Sequence, residues 1–164
     1  METMDAIKAR RSVRQFADKA IPKDLIEKIV DCGRVAPTAR KEEPWEFIAV
    51  TGRDVLATMG EVADHGPFIR SAACAIIVCC RETKYYLEDG CAATENMLVA
   101  AANLGIGSCW VAGDKKPYCA RMLELVGAPA GMKLVSIIAL GYPAKKEGPV
   151  QKRPLKDVLH WERF

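Results

Sequence analysis

The sequence predicts a mixed α+β fold, a sheet layer packed against helices, on three observations. Half of its 164 residues are hydrophobic, a share large enough to bury a core within one compact domain. Four apolar runs rich in branched or aromatic residues have the length of strands. Helix-spaced stretches separate them irregularly, which argues against a regular doubly wound sheet.

Residues 3–10 predict a short helix, with Met4, Ile7 and Lys8 framing its inner face. After a polar segment, Ile21-Pro22 opens a second helix. Pro22 suits the first helical position, and Leu25, Ile26, Ile29 and Val30 recur at helical spacing. Pro37 stops that helix before the loop PTARKEEP. WEFIAV (45–50) reads as a strand, RDVLATMGEVA as a short helix, and AACAIIVCC (72–80) as a central strand too short to span a bilayer. From about Leu87 to Leu104 a long helix is expected, with Met97, Leu98, Ala101 and Leu104 on one face. GIG ends it, SCWV resumes as strand, and PYCARMLELV is a further amphipathic helix. KLVSIIAL (133–140) is a buried strand ending at GYP. The polar tail carries Lys145, Lys146, Lys152 and Arg153 and reads as an arm, because PLKDVLHW beyond it needs a surface to pack against.

Composition narrows the function. A net charge of +3 is too small for a general nucleic-acid binder, so any basic function is local. METMDAIKARR has no sustained apolar core, so the expectation is a cytoplasmic chain with no membrane partner. Seven cysteines are an odd number, form no CxxC pair, and are joined by only two histidines, His65 and His160, so no metal site is expected. Cys74, Cys79, Cys91 and Cys109 read as small buried hydrophobes. The vicinal Cys79 and Cys80 point to opposite faces if they lie on a strand.

Positive charge gathers in KARRSVRQF (8–16), where Arg10, Arg11 and Arg14 surround Ser12. Arg10 and Arg14 are four apart and share a face wherever the backbone is helical. Guanidinium groups can grip an anion bidentately, and the Ser12 hydroxyl adds a neutral bond. These residues leave two readings open: a phosphate clamp, or a solvated basic helix end whose arginines stabilise the last carbonyls. The familiar nucleotide cradles are missing, with no GxxxxGK[ST] loop and no GxGxxG after a strand, and there is no GxSxG elbow.

Three further stretches weigh on that choice. APTARKEEPWEFIAV (36–50), ENMLVAAANLGIGSCWVAG (95–113) and VSIIALGYPA (135–144) follow KARRSVRQF in that order. Together they resemble the nitroreductase family of FMN-dependent oxidoreductases across nearly the whole chain. The resemblance implies a three-layer fold with a mainly antiparallel sheet between helices, in an intertwined homodimer with two FMN sites at the interface. Residues 1–164 would be a single FMN-binding domain whose arm, about 144–164, packs on the partner subunit.

The resemblance also implies a set of cofactor contacts. Arg10, Arg11, Ser12 and Arg14 would grip the flavin phosphate and ribityl chain. Pro37, Thr38 and Ala39, with Lys41 and Glu43, would come from the partner's loop. Val111, Ala112 and Gly113 would approach the reactive N5 edge through a backbone N–H of Ala112 or Gly113. Gly141 and Tyr142 would lie near the cofactor, and Arg153 would complete the phosphate clamp. Two departures stand out: Lys41 takes the place of a frequent asparagine, and Glu43 that of a glutamine. The segment RETKYYLEDG leaves little room for a substrate lid.

The chemistry implied is electron transfer from NADH or NADPH through the flavin to a nitroaromatic, quinone or similar small acceptor, with no catalytic side chain and no metal. Two alternatives stand beside it: a non-catalytic FMN-binding protein, and a reductive dehalogenase-like member of the same family. Setting the resemblance aside, a cysteine-rich redox or metal protein is the rival reading.

Overall fold

The two most apolar runs of the chain become the two inner strands of one sheet. The computed structural model describes residues 1–148 and 150–164. Its sheet holds β1 (Trp45–Val50), β2 (Cys74–Cys80), β3 (Gly107–Ala112) and β4 (Lys133–Gly141) in the order β1-β2-β4-β3, antiparallel throughout. β2 and β4 are buried on both faces, which is why they read as continuous apolar runs rather than alternating ones.

Five helices cover the sheet: α1 (Thr3–Ala9), α2 (Lys23–Arg34), α3 (Arg53–Val62), α4 (Tyr86–Asn103) and α5 (Cys119–Leu125). On one face Ile76, Val78 and Ile138 pack with Ile29 of α2 and Met97 of α4. On the other, Ile77 and Ile137 pack with Leu56 and Met59 of α3 and Met122 of α5. The sheet is thus the middle of three layers, as the resemblance implies.

One irregularity matters for the site. The β2–β4 register slips by one residue between Val78 and Cys79, leaving Val135 as an extra residue on β4. This bulge turns Val135 toward the α4 face beside Ser136, whose hydroxyl lies 2.8 Å from that of Thr94.

Several local expectations need correction. The first helix buries only Ala6, against α4, while Met4 and Ile7 are 65% and 50% exposed. Seven residues give less than two turns, and the small alanine permits the closest approach to α4. Pro22 is the residue before the second helix rather than its first member, so its fixed φ ends the extended segment instead. Cys91 is half-buried, on a part of α4 that the sheet does not fully cover, whereas Cys74, Cys79 and Cys109 are buried. The tail makes one short 3₁₀ turn, Leu155–Asp157, and is exposed at every described residue but the half-buried Glu147. Pro149, within the predicted arm, lies outside the described residues.

Candidate functional site

The arginine segment is extended, so Arg10 and Arg14 do not share a helical face. α1 ends at Ala9, and Arg10 already has φ −53° and ψ 130°. Long-range pairing overrides the helical spacing: Ser12 forms a parallel bridge with Ser108 on β3, and the Val13 N–H donates to the Ser108 carbonyl at 2.9 Å. Val13 is buried, and Ser12 and Arg14 on either side of it are exposed, the alternation of a strand.

The three arginines have different roles. Arg11 is a brace, donating to the carbonyls of Lys8 (2.7 Å), Arg10 (2.9 Å) and Gly148 (3.2 Å). Arg10 lies 3.6 Å from Glu95 of α4. Arg14 stands 5.8 Å from the Phe68 ring centroid, with one nitrogen 3.5 Å from the Ser12 carbonyl. A cleft of about 610 Å³ opens here, lined by Lys8, Arg10, Arg11, Ser12, Arg14 and Lys152 among others. A second cleft, of about 220 Å³, runs along the outer edge of β3 past Arg14, His65, Phe68, Trp110, Ala112 and Tyr118. Arg14 lines both. The positive field reaches the strand itself: burial pushes the Cys109 thiol up, while Arg14, a bond with Ser12, and Arg10 pull the other way.

Register decides which backbone groups face the second cleft. The Gly113 N–H donates to the Val135 carbonyl at 3.2 Å, so Gly113 and Val135 form a hydrogen-bonded pair. The preceding pair, Ala112 with Ser136, is then of the non-bonded kind, and the Ala112 N–H and C=O point away from β4. The Ala112 carbonyl accepts the Tyr118 hydroxyl, and its N–H faces the outer edge. Of the two candidate donors the sequence offers, Gly113 is committed to the sheet. A Cβ at Gly113 would lie 2.7 Å from the Val135 backbone, so only glycine lets the strand end run this close to the bulge. Val111 points into the core, and Tyr86 donates to Asp114 at 2.7 Å, fixing the chain just beyond.

The loop Pro37–Glu43 lies elsewhere. It leads into β1, at the opposite edge of the sheet from β3, three strand spacings or about 14 Å across. Its backbone is strained: Arg40, Lys41 and Glu43 have φ of 56°, 58° and 42°, the left-handed region that non-glycine residues avoid. Asp89, on the first turn of α4 and 4% exposed, holds this shape. It accepts the Thr38 hydroxyl at 2.7 Å and the Ala39 N–H at 3.0 Å. Thr38 in turn accepts the Glu43 N–H at 3.0 Å, and Arg81 donates to the Glu42 carbonyl at 2.8 Å.

Gly141 and Tyr142 line neither cleft. They hold the arginine segment from behind. The Phe16 ring occupies the space a Cβ at Gly141 would need, and the Tyr142 carbonyl accepts the Ala17 N–H at 2.8 Å. Arg153 donates to the carbonyl of Asp157 within its own tail, and Lys152 is the tail cation in the arginine cleft.

With this geometry in view, comparison with known proteins is direct. Residues 7–87 match the model of the Nitroreductase family, and residues 68–163 match a second one, "Putative TM nitroreductase". An Archaeoglobus fulgidus protein named "Putative NADH dehydrogenase/NAD(P)H nitroreductase" is 39% identical over 172 residues, covering 99% of each chain. The chain belongs to the nitroreductase family. The fold agrees with solved members. A Bacteroides thetaiotaomicron structure bearing the same name as the Archaeoglobus protein superposes with a TM-score of 0.93 at 31% identity, over 99% of this chain and 98% of that one. A Bacteroides fragilis nitroreductase solved with bound FMN gives 0.83 at 28% identity, over 99% and 100%.

Within this nitroreductase framework, three residues escaped sequence reasoning. Asp89 acts on a loop 51 residues away and sits in no motif. Tyr118 caps the strand edge, and Lys152 rather than Arg153 reaches the cleft. A signal existed only for Asp89, one of two acidic residues, with Glu88, in the first turn of α4. Cys79 and Cys80 do face opposite layers, and burial pushes their thiols up to about 11 and about 12. Among the described residues no cluster of His, Cys, Asp or Glu is placed to hold a metal, and no helix is long and apolar enough to cross a membrane.

Proposed function

We propose that this chain is an FMN-dependent oxidoreductase that passes electrons from NADH or NADPH to a nitroaromatic, quinone or similar small acceptor. The observation that carries this reading is the place of Arg14 in the lining of both clefts, between a cationic cradle and an open strand edge. The donor set fits a phosphorylated flavin: guanidinium and ammonium groups at one end, and an outward backbone N–H at the other.

Arg10, Ser12, Arg14 and Lys152 would hold the phosphate and ribityl chain. Arg11 and the Gly141-Tyr142 turn would keep that segment against β3. The Ala112 N–H would donate to the ring's N5, with Tyr118 fixing the adjoining carbonyl. Bound there, FMN supplies the hydride and electron transfer, and the protein needs no acid or base of its own.

The loop carrying Pro37, Thr38, Ala39, Lys41 and Glu43 stands too far from this cleft to serve it within one chain. We read it as serving the cleft of a partner subunit in a homodimer. Leu155, Val158, Trp161 and Phe164, exposed on the tail, favour the same arrangement, with residues 1–164 as one domain whose arm, 144–164, covers the partner.

The test is the visible spectrum of the purified protein, then identification of the released chromophore and anaerobic bleaching by NADH and NADPH. About one FMN per chain, bleached by a dinucleotide and restored by an added nitroaromatic or quinone, is the expected outcome. FMN that no reductant bleaches means a non-catalytic flavin carrier, and a chain that refuses FMN overturns the reading.

A further inference from the structure

The strained loop carries two adjacent cations, and the structure gives neither of them a partner. Arg40 and Lys41 are exposed, and among the described residues neither takes part in an ion pair or side-chain hydrogen bond. Both adopt left-handed backbone conformations, each disfavoured for a residue with a Cβ. The buried Asp89, the Thr38–Glu43 bond and Arg81 hold that geometry in place. A solvated charge run needs no such support, because flexible lysine and arginine side chains reach water from any backbone. The bracing, which holds Thr38, Ala39 and Glu43, also fixes the direction in which the two cations leave the loop. The chain commits one buried carboxylate and one further arginine to that direction.

We propose that Arg40 and Lys41, aimed by Asp89, form an anion-selective rim over the flavin site of the partner subunit, so that the acceptor this enzyme serves carries a negative charge. This rests on the reading of the chain as a dimeric FMN enzyme. Two cations within reach of one carboxylate or phosphate favour a charged acceptor over its neutral isostere. Asp89 is a positioning residue here, acting through the loop and not on the acceptor.

The experiment compares 4-nitrobenzoate with the neutral 4-nitrobenzamide as acceptors for the FMN-loaded protein, with the reductive half-reaction followed separately by stopped flow. In the wild type, kcat/KM favours the anion, and the preference shrinks as salt rises. Arg40→Gln with Lys41→Gln lowers the anion-to-amide ratio about tenfold, through KM of the anion. Asp89→Asn separates aim from charge. Removing a negative charge would raise the ratio if charge alone mattered, whereas freeing the loop lowers it. The proposal requires the lower ratio, with circular dichroism and FMN content of each variant checked alongside.

A ratio unchanged in the double variant, with FMN bound and reduced normally, overturns the inference and leaves the enzyme reading standing. So does an effect confined to the reductive half-reaction, which would assign the cations to the dinucleotide. A wild-type protein that binds no FMN overturns the underlying reading instead.

Discussion

The carboxylate of Asp89 accepts the Thr38 hydroxyl at 2.7 Å, tying the first turn of α4 to a loop that left the chain 51 residues earlier. The same carboxylate accepts the Ala39 N–H, so one buried charge satisfies two donors of a segment with three left-handed residues. Asp89→Ala leaves both donors without a partner, and the expected loss is about 1–3 kcal/mol for each buried group left unsatisfied. Thr38→Val removes that bond and the one the hydroxyl accepts from the Glu43 N–H, and costs about 1–3 kcal/mol. Urea denaturation checks both, the midpoint falling with the slope unchanged.

The arginine cleft makes a different demand. Arg10→Ala combined with Arg14→Ala should leave stability almost unaltered, since the Arg10–Glu95 pair is half-exposed and 3.6 Å long. FMN affinity should fall at least tenfold, because each charge-assisted bond to a phosphate contributes about 1.5–3 kcal/mol. Flavin fluorescence titration reads the affinity and thermal melting the fold. Full occupancy at wild-type concentrations would remove these residues from the site.

Gly113→Ala tests the strand end. Its new methyl would meet the Val135 backbone at 2.7 Å, which no rotamer can relieve. Overpacking of this kind costs about 1–3 kcal/mol. The Ala112 N–H would shift with the strand, so the reduction potential of bound flavin should move as well. A variant with the wild-type melting temperature and potential would mean that the bulge yields freely.

The buried thiols predict a pH dependence. Cys74, Cys79 and Cys80 are raised by burial to about 12, about 11 and about 12, against a value of 9.0 when unfolded. Above pH 9 the unfolded chain releases these protons and the native one keeps them, so stability falls as pH climbs toward 11–12. Equilibrium unfolding between pH 8 and 11 checks this. At pH 8, thiol reagents should label exposed Cys32 rapidly and leave the strand cysteines intact.

Trp45→Ala should cost about 3–5 kcal/mol, because the indole is buried where β1 meets the α2–α4 layer and stacks on Phe47 at 6.5 Å. Calorimetry measures it.

The elements were legible wherever periodicity was strong. Cys74–Cys80 and Lys133–Gly141 announce inner strands, and the spacing of Met97, Leu98 and Ala101 announces α4. The candidate site was readable as a set of residue types, but its geometry was not. Nothing local says that Arg10–Arg14 pairs with Ser108, almost a hundred residues on, and that pairing is what makes the segment extended. Likewise the choice between the Ala112 and Gly113 N–H groups depends on the register against β4, which no single strand encodes. Asp89 was hidden for the same reason. Its partners are set by the packing of α4 over the start of β1, a tertiary relation.

The separation of the braced loop from the arginine cleft, at opposite edges of one sheet, bears on how the protein behaves when scarce. On the proposed dimeric reading neither edge is a whole site, and halves from different molecules would have to meet before colour or turnover appears. Specific activity and flavin retention should then depend on protein concentration, falling together on dilution toward the nanomolar range. An assay run only at high dilution would mistake a dissociated enzyme for an inactive one.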